Sequence, residues 1–492
     1  MKKILSCLIL SVICSSVMSQ TSSFDDFINK QQKSYNSFVS DKQAEYDAFR
    51  KQQNERYAEL LKGSWEWHDA LPQDTIQEDI PIVPPVVYDP TVPEDDPKPI
   101  LVDDDIITIP QPQPQPEPIA PIIPDEDILT RPYVFTYFGT KVSVKFPKDA
   151  TLELAGVSRD ELSEAWELLS SKSFDATVSD VLALREDMSL SDWGYLMLLK
   201  TLTEGKYGTN EAVFMQAFLL TQSGYRVRIA RDNDGLLYLL IATEHDMYNQ
   251  WYFYIDGEKY YALNSYGKTL YICKAFYEKE QSFSLILSKE QQLALSLSED
   301  RKLSSQFGVS LTIRTNKNVI DFLNTYPTAY FNNDFTTKWA MKANTPLDKV
   351  TQDLLYPAIR KSIAGLSEKD AVNKILNFMQ TAFVYEYDSI VWGYDRAFFP
   401  VETLYYPYAD CEDRAILFSR IVRDVMGLNV VLLFYPGHLA TAVEFTEDVK
   451  GDYLIYQNRK YIVCDPTYIH APLGLTMPGM DNSTATIIVL NN

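Results

Sequence analysis

The chain has 492 residues, of which 45 are basic and 67 acidic, giving a formal net charge of −22. So acidic a balance, with no basic patch interleaved with aromatics, argues against a nucleic-acid partner held through its phosphates. Five cysteines are too few for a disulfide scaffold, while 46% hydrophobic residues over this length suffice for two or three folded units.

Residues 1–19 read as a secretory signal. Lys2 and Lys3 form the basic region, Ile4 to Val17 the apolar stretch, and Val17, Met18 and Ser19 a small-residue cleavage site before Gln20. Ile13 is too large to precede a lipidated Cys14, so cleavage near Ser19 is expected. No other stretch approaches the roughly 20 apolar residues that span a bilayer. The expected protein is exported, periplasmic or extracellular, without a membrane span. Cys7 and Cys14 leave with the signal. Cys273, Cys411 and Cys464 remain, so at least one thiol is unpaired or pairs with another molecule.

Residues 20–70 read as a helical stalk. Phe24, Tyr35, Tyr46 and Tyr57 recur every 11 residues, and Phe27, Phe38, Phe49 and Leu60 do so three positions on. Eleven residues in three turns keep one narrow aromatic stripe on one face of a nearly straight helix. That stripe predicts self-association through the N-terminal helix, a coiled coil of copies, or docking on the chain's own globular part.

Residues 71–130 read as a disordered linker. From 72 to 130 the chain holds 15 of its 26 prolines, 14 acids and one lysine. Such a segment cannot build a core and is expected to be extended, with polyproline II character.

Residues 131–290 carry a helix–turn–strand pattern that recurs at the C-terminus. A helix led by Tyr207–Phe214 ends at Gly224, a strand follows at 226–230, and Asp232–Gly235 reads as a hairpin turn. The run 258–264 parallels 459–465. Matching the two copies puts Gly208, Gly235 and Asn264 opposite Cys411, His438 and Asp465, so the first copy lacks thiol chemistry. His245 reads as a surface residue. Residues 291–345 connect the two copies, with strands expected near 283–297 and 309–314.

Residues 346–492 carry the chemistry. Tyr-Ala-Asp-Cys-Glu-Asp-Arg-Ala (408–415) opens a run of helical spacing from Ala415 to Met426, closed by Gly427. Asp410 is placed as N-cap, with Glu412 and Asp413 in the first turn. A strand follows at 429–435, then a Pro436-Gly437 turn, a strand from His438 to Phe445, and a hairpin of 452–456 with 460–464 that ends at Asp465. A helix N-terminus favours thiolate over thiol; a histidine takes the proton; an acid orients the histidine. Cys411, His438 and Asp465 are therefore the expected catalytic residues: nucleophile, general base and then acid, and orienting partner.

The runs Asp-Cys-Glu-Asp-Arg-Ala (410–415), Gly-His-Leu-Ala-Thr-Ala-Val (437–443) and Val-Cys-Asp-Pro-Thr-Tyr (463–468) resemble the transglutaminase-like superfamily, a branch of the papain-like cysteine enzymes. The resemblance covers about 350–480 and implies an α+β fold with a papain-like core at the C-terminus, a degenerate second copy before it, and the same three roles. Ala409 stands where many relatives carry glycine, and no glutamine lies just upstream as an oxyanion donor. The Cys411 N–H, with Tyr405, Tyr406 or Trp392, is the alternative. The expected function is a secreted thiol-dependent hydrolase, a peptidase or amidase acting on a peptide or protein substrate. The alternatives are a cross-linking acyltransferase and a non-catalytic scaffold. No cofactor or metal is implied. A catalytic Cys411 is expected to be exposed and unpaired, with a depressed pKa.

Overall fold

The computed structural model describes residues 21–72, 82–92, 96–100, 106–263 and 267–491. The signal read at 1–19 and the Asn264 match lie outside these residues. The fold is mixed α and β. The first element is a 43-residue helix, Thr21–Gly63. Its two ends answer the two readings of the aromatic stripe differently. Near the C-terminal end, Tyr57 is 2% exposed and Leu61 0%. Tyr57 stacks on Trp166 at 4.1 Å and on Tyr277 at 5.0 Å. Buried Arg50 pairs with buried Asp175 on the helix Asp175–Asp187. There Ala58, Leu60 and Leu61 widen the stripe into a face broad enough to dock. Farther back the stripe stays narrow, and Tyr35 and Phe38 are 64% and 60% exposed. Phe24 and Phe27 lie outside the described side chains.

Two antiparallel sheets follow the same plan. In the first, the spatial order is Tyr252–Ile255, Glu258–Tyr261, Leu237–Ala242, Val227–Arg231, Thr269–Cys273. In the second it is Tyr453–Tyr456, Arg459–Cys464, His438–Glu444, Val430–Tyr435, Thr486–Val489. Each sheet is preceded by a long helix, Thr209–Gln222 or Cys411–Met426. Arg231 pairs with Leu237 in the first hairpin as Tyr435 pairs with His438 in the second. Leu237, rather than Gly235, therefore opens the strand that matches His438, because the first turn is longer. Likewise Thr209, rather than Gly208, opens the helix as Cys411 does. One hydrophobic cluster runs through both halves, from Tyr57 through Trp166, Phe283 and Trp339 to Leu417 and Ile488.

The described parts of 71–130 correct the expectation of a disordered linker. Pro99–Ile100 and Ile106–Thr108 form the two edge strands of the second sheet, each parallel to its neighbour. Trp65–Asp69, from the stalk, closes an edge of the first sheet. Ile100, Ile109 and Ala120 are 2%, 6% and 3% exposed. Composition argued correctly that this segment has no core of its own. It buries Ile100, Ile109 and Ala120 against the rest of the chain while Ile82, Val87, Val92, Ile123 and Leu129 stay exposed, and as an edge strand it tolerates prolines that lack a donor. The carbonyl of Glu117 presses so closely on Gly224 (φ +89) that a Cβ there would lie 2.1 Å from it. Residues 73–81, 93–95 and 101–105 lie outside the described residues.

The connecting region is a hairpin, Arg301–Ser304 with Ser310–Ile313, followed by the helices Lys317–Leu323 and Thr337–Ala343. The strand expected at 283–297 is not formed: Phe283 and Leu297 make only isolated bridges, to Thr243 and Asn316. Among the described residues no helix is long and apolar enough to cross a membrane.

Candidate active site

Cys411 is the first residue of the helix Cys411–Met426, with Asp410 as N-cap and Gly427 (φ 70) as left-handed C-cap. His438 opens its strand after Gly437, whose φ of +79 suits the turn. Asp465 follows the last residue of Arg459–Cys464, a strand paired with the histidine's strand through Thr441 and Cys464. The sequence therefore folds so that three loop-proximal ends converge. His438 Nε2 lies 2.8 Å from Asp465 Oδ2. Asp465 Oδ1 accepts the N–H groups of Thr467 and Tyr468 at 2.8 and 3.2 Å, which fixes the carboxylate. Gln380 Nε2 donates to the carbonyls of Asp465 and Ala471 at 3.1 and 3.0 Å.

The backbone N–H of Leu439, the residue after His438, lies near enough to the Cys411 sulfur to favour its charged form. No hydrogen bond joins Cys411 to His438. The thiol donates instead to Glu412 Oε2 at 3.3 Å. His438 Nδ1 is buried and makes no hydrogen bond.

No family model, curated protein or solved structure matches this chain.

Two expectations about the thiol fail. Cys411 is unpaired, as are Cys273 and Cys464, but it is 0% exposed, as is His438. Its pKa is raised well above the ordinary thiol value, first by burial and then by the charges of Glu412 and Asp410. The helix N-terminus does not outweigh that loss of solvent.

Glu412 and Asp413 lie in the first turn, as expected, and are 0% and 1% exposed. With Asp410 and Asp388 they form a buried carboxylate group. Burial raises all four carboxyls, that of Asp388 to about 8 with Glu412 as second cause. Asp413 accepts the Phe398 N–H at 2.7 Å, and Lys338, paired with Asp395, faces the group. Oxygens of Asp388, Asp410 and Glu412 lie within 4.8 Å of one another, close enough to share a cation, but raised pKa values let them share protons. Arg414, 1% exposed, donates to the carbonyls of Gln380 and Phe383 and ties its helix to the C-terminal end of the helix Glu368–Thr381.

The aromatic oxyanion candidates are packing. Trp392 and Tyr406 meet edge to face at 5.0 Å under Arg396, and the Tyr406 hydroxyl donates to Asn324. Burial raises the phenols of Tyr385 and Tyr387, and both lie near enough to Cys411 that a thiolate there would raise them further. His245 is not a surface residue: it is 3% exposed and accepts the Leu285 N–H through Nδ1. His470 is exposed, with φ 67, and takes no part in the centre.

Proposed function

We propose that the protein is a secreted thiol-dependent hydrolase of transglutaminase-like or papain-like type, acting on peptide or amide bonds. The observation that carries the reading is the His438–Asp465 contact with an unpartnered Nδ1, beside a thiol at a helix start. In the reaction Cys411 gives its proton to His438 Nδ1, and the thiolate adds to the substrate carbonyl carbon. The tetrahedral oxyanion collapses, the C–N bond breaks, and the imidazolium protonates the leaving amine. His438 then takes a proton from water, the hydroxide displaces the thioester sulfur, and the acid leaves. If an amine replaces the water, the same thioester serves a cross-linking transferase. Export rests on the basic, apolar and small-residue order of residues 1–19. Self-association is the role read for the exposed part of the helix: its repeat of 11 lets a second copy match Tyr35, Phe38, Tyr46 and Phe49 in register.

The full burial of Cys411 favours a second reading, a binding module without turnover. The two are separated by treating wild type, Cys411→Ser and His438→Ala with a p-nitrophenyl ester and mapping the acyl adduct by mass spectrometry. The hydrolase gives an adduct on Cys411 that forms slowly in His438→Ala. Equal rates in wild type and His438→Ala leave the binding module.

A further inference from the structure

Cys411 and His438 have no exposed surface, so something lies over them. A segment of the proline-rich stretch runs directly beside them. The N–H groups of Ile82 and Val83 donate to the carbonyl of Gly437, the residue before His438, at 3.0 and 3.1 Å. The Val83 carbonyl accepts from the hydroxyl of Tyr385, one of the two phenols beside Cys411, at 3.4 Å. Six residues from Ile82, the Tyr88 N–H donates to the Ile469 carbonyl, and the Ile469 N–H donates to the Val86 carbonyl, both at 2.8 Å. Ile469 lies four residues past Asp465. The segment therefore crosses from the histidine's turn to the aspartate's loop, fastened at both. A Cβ on Gly437 would sit 3.4 Å from both Ile82 Cγ1 and Val83 Cγ2, so the glycine lets the segment lie close.

The side chains sort by direction. Val83, Val86 and Tyr88 pack on Tyr468, Ala471 and Met477. Ile82 and Val87 point outward, 68% and 61% exposed. Between the two anchors Pro84 and Pro85 offer no N–H, and polyproline geometry spans the gap without needing partners. Main-chain hydrogen bonds plus pockets for chosen side chains are how a protein reads an extended peptide. The hold is modest: a handful of hydrogen bonds, each worth about 1 kcal/mol net.

Resting on the hydrolase reading, we propose that residues 82–88 are an internal strap in the peptide groove of the Cys411–His438–Asp465 centre. It keeps the centre closed, and the ligand it stands in for is an extended, apolar, proline-containing peptide. The raised Cys411 pKa belongs to this closed state, and displacement of the strap admits both water and peptide.

The test measures iodoacetamide labelling of Cys411 at about pH 9, where an ordinary thiol is largely ionised whatever His438 does. Three forms are compared: wild type, Val83→Asp/Val86→Asp, and Ile82→Asp, whose side chain already faces water. The expected result is at least about tenfold faster labelling in the double variant and an unchanged rate in Ile82→Asp, since acids on the inward face meet apolar pockets. A synthetic peptide of residues 82–89 added to the double variant should slow labelling again. Equal labelling in wild type and double variant overturns the strap. Hydrogen exchange on wild type gives a second answer should the double variant not fold: slow amides at Ile82, Val83 and Tyr88 are expected, and rapid exchange there overturns the proposal. Combining Val83→Asp/Val86→Asp with His438→Ala separates the two readings. Retained acceleration at about pH 9 supports the strap, whereas the reactivity near neutral pH reports on the hydrolase.

Discussion

Nε2 of His438 stands 2.8 Å from Oδ2 of Asp465, and both side chains are shut away from water. The carboxylate can fix the ring's orientation and stabilise it when it is protonated. Asp465→Asn keeps an acceptor for the Thr467 N–H but offers the ring an amide. Acyl-adduct formation on Cys411 should fall by about 10³–10⁴-fold, the scale seen when an orienting acid is lost, with the fold retained by circular dichroism. An unchanged rate means that Asp465 only supports the loop.

Gln380 is a positioning residue for that loop. Gln380→Met keeps the volume and removes the donors to the Asp465 and Ala471 carbonyls. Urea unfolding should show a loss of about 1–3 kcal/mol, from two carbonyls left buried and unpaired. Adduct formation should also slow, because the loop that carries Asp465 is held less firmly, whereas a purely structural Gln380 would leave that rate alone.

The long helix should divide into a part that matters for folding and a part that does not. Tyr57→Ala removes a ring stacked on two others in the core and should cost about 3–5 kcal/mol in urea unfolding. Phe38→Ala, at a 60% exposed position of the same stripe, should stay within about 0.5 kcal/mol. A large cost at Phe38 contradicts the division.

His245 should make the fold acid-labile. Burial depresses its pKa from 6.5 to about 3. The unfolded chain therefore binds the proton first, and stability is present above about pH 6.5 and lost as pH falls toward 3. The loss is at most on the order of 5 kcal/mol. Asp175 acts in the opposite sense: burial raises its carboxyl to about 6, so its contribution is present below about 3.8 and lost as pH rises through 6. The difference between wild type and His245→Gln isolates the histidine. Unfolding free energies across this range should converge on acidification as the wild-type penalty grows. A constant difference at every pH contradicts the assignment.

The elements around the candidate site were legible because each had a local cause. The apolar spacing after Cys411, the Gly427 cap and the Pro436-Gly437 turn placed the helix and both strand starts to within a residue. The Gln457-Asn458 turn, both residues at positive φ, closed the next hairpin. What was not legible depends on partners distant in sequence. Nothing local tells that Ile100 and Ile106 join a sheet whose other strands begin at 430, or that Glu412 faces buried Lys338 rather than water. His245 looked exposed between two acids, and Phe331, 86 positions on, covers it. The linker's composition did not tell its fate, since a segment without a core can still complete a sheet elsewhere in the chain.

The central claim is that Cys411 is a nucleophile activated by His438. Its most direct test is the iodoacetamide labelling rate of Cys411 from about pH 5 to about pH 9, in Val83→Asp/Val86→Asp with and without His438→Ala. An activated thiol gives rapid labelling well below the ordinary cysteine pKa of about 8.5, lost with His438→Ala. Two superimposed profiles that rise only near 8.5 contradict the claim and leave a protein that holds peptides without cutting them.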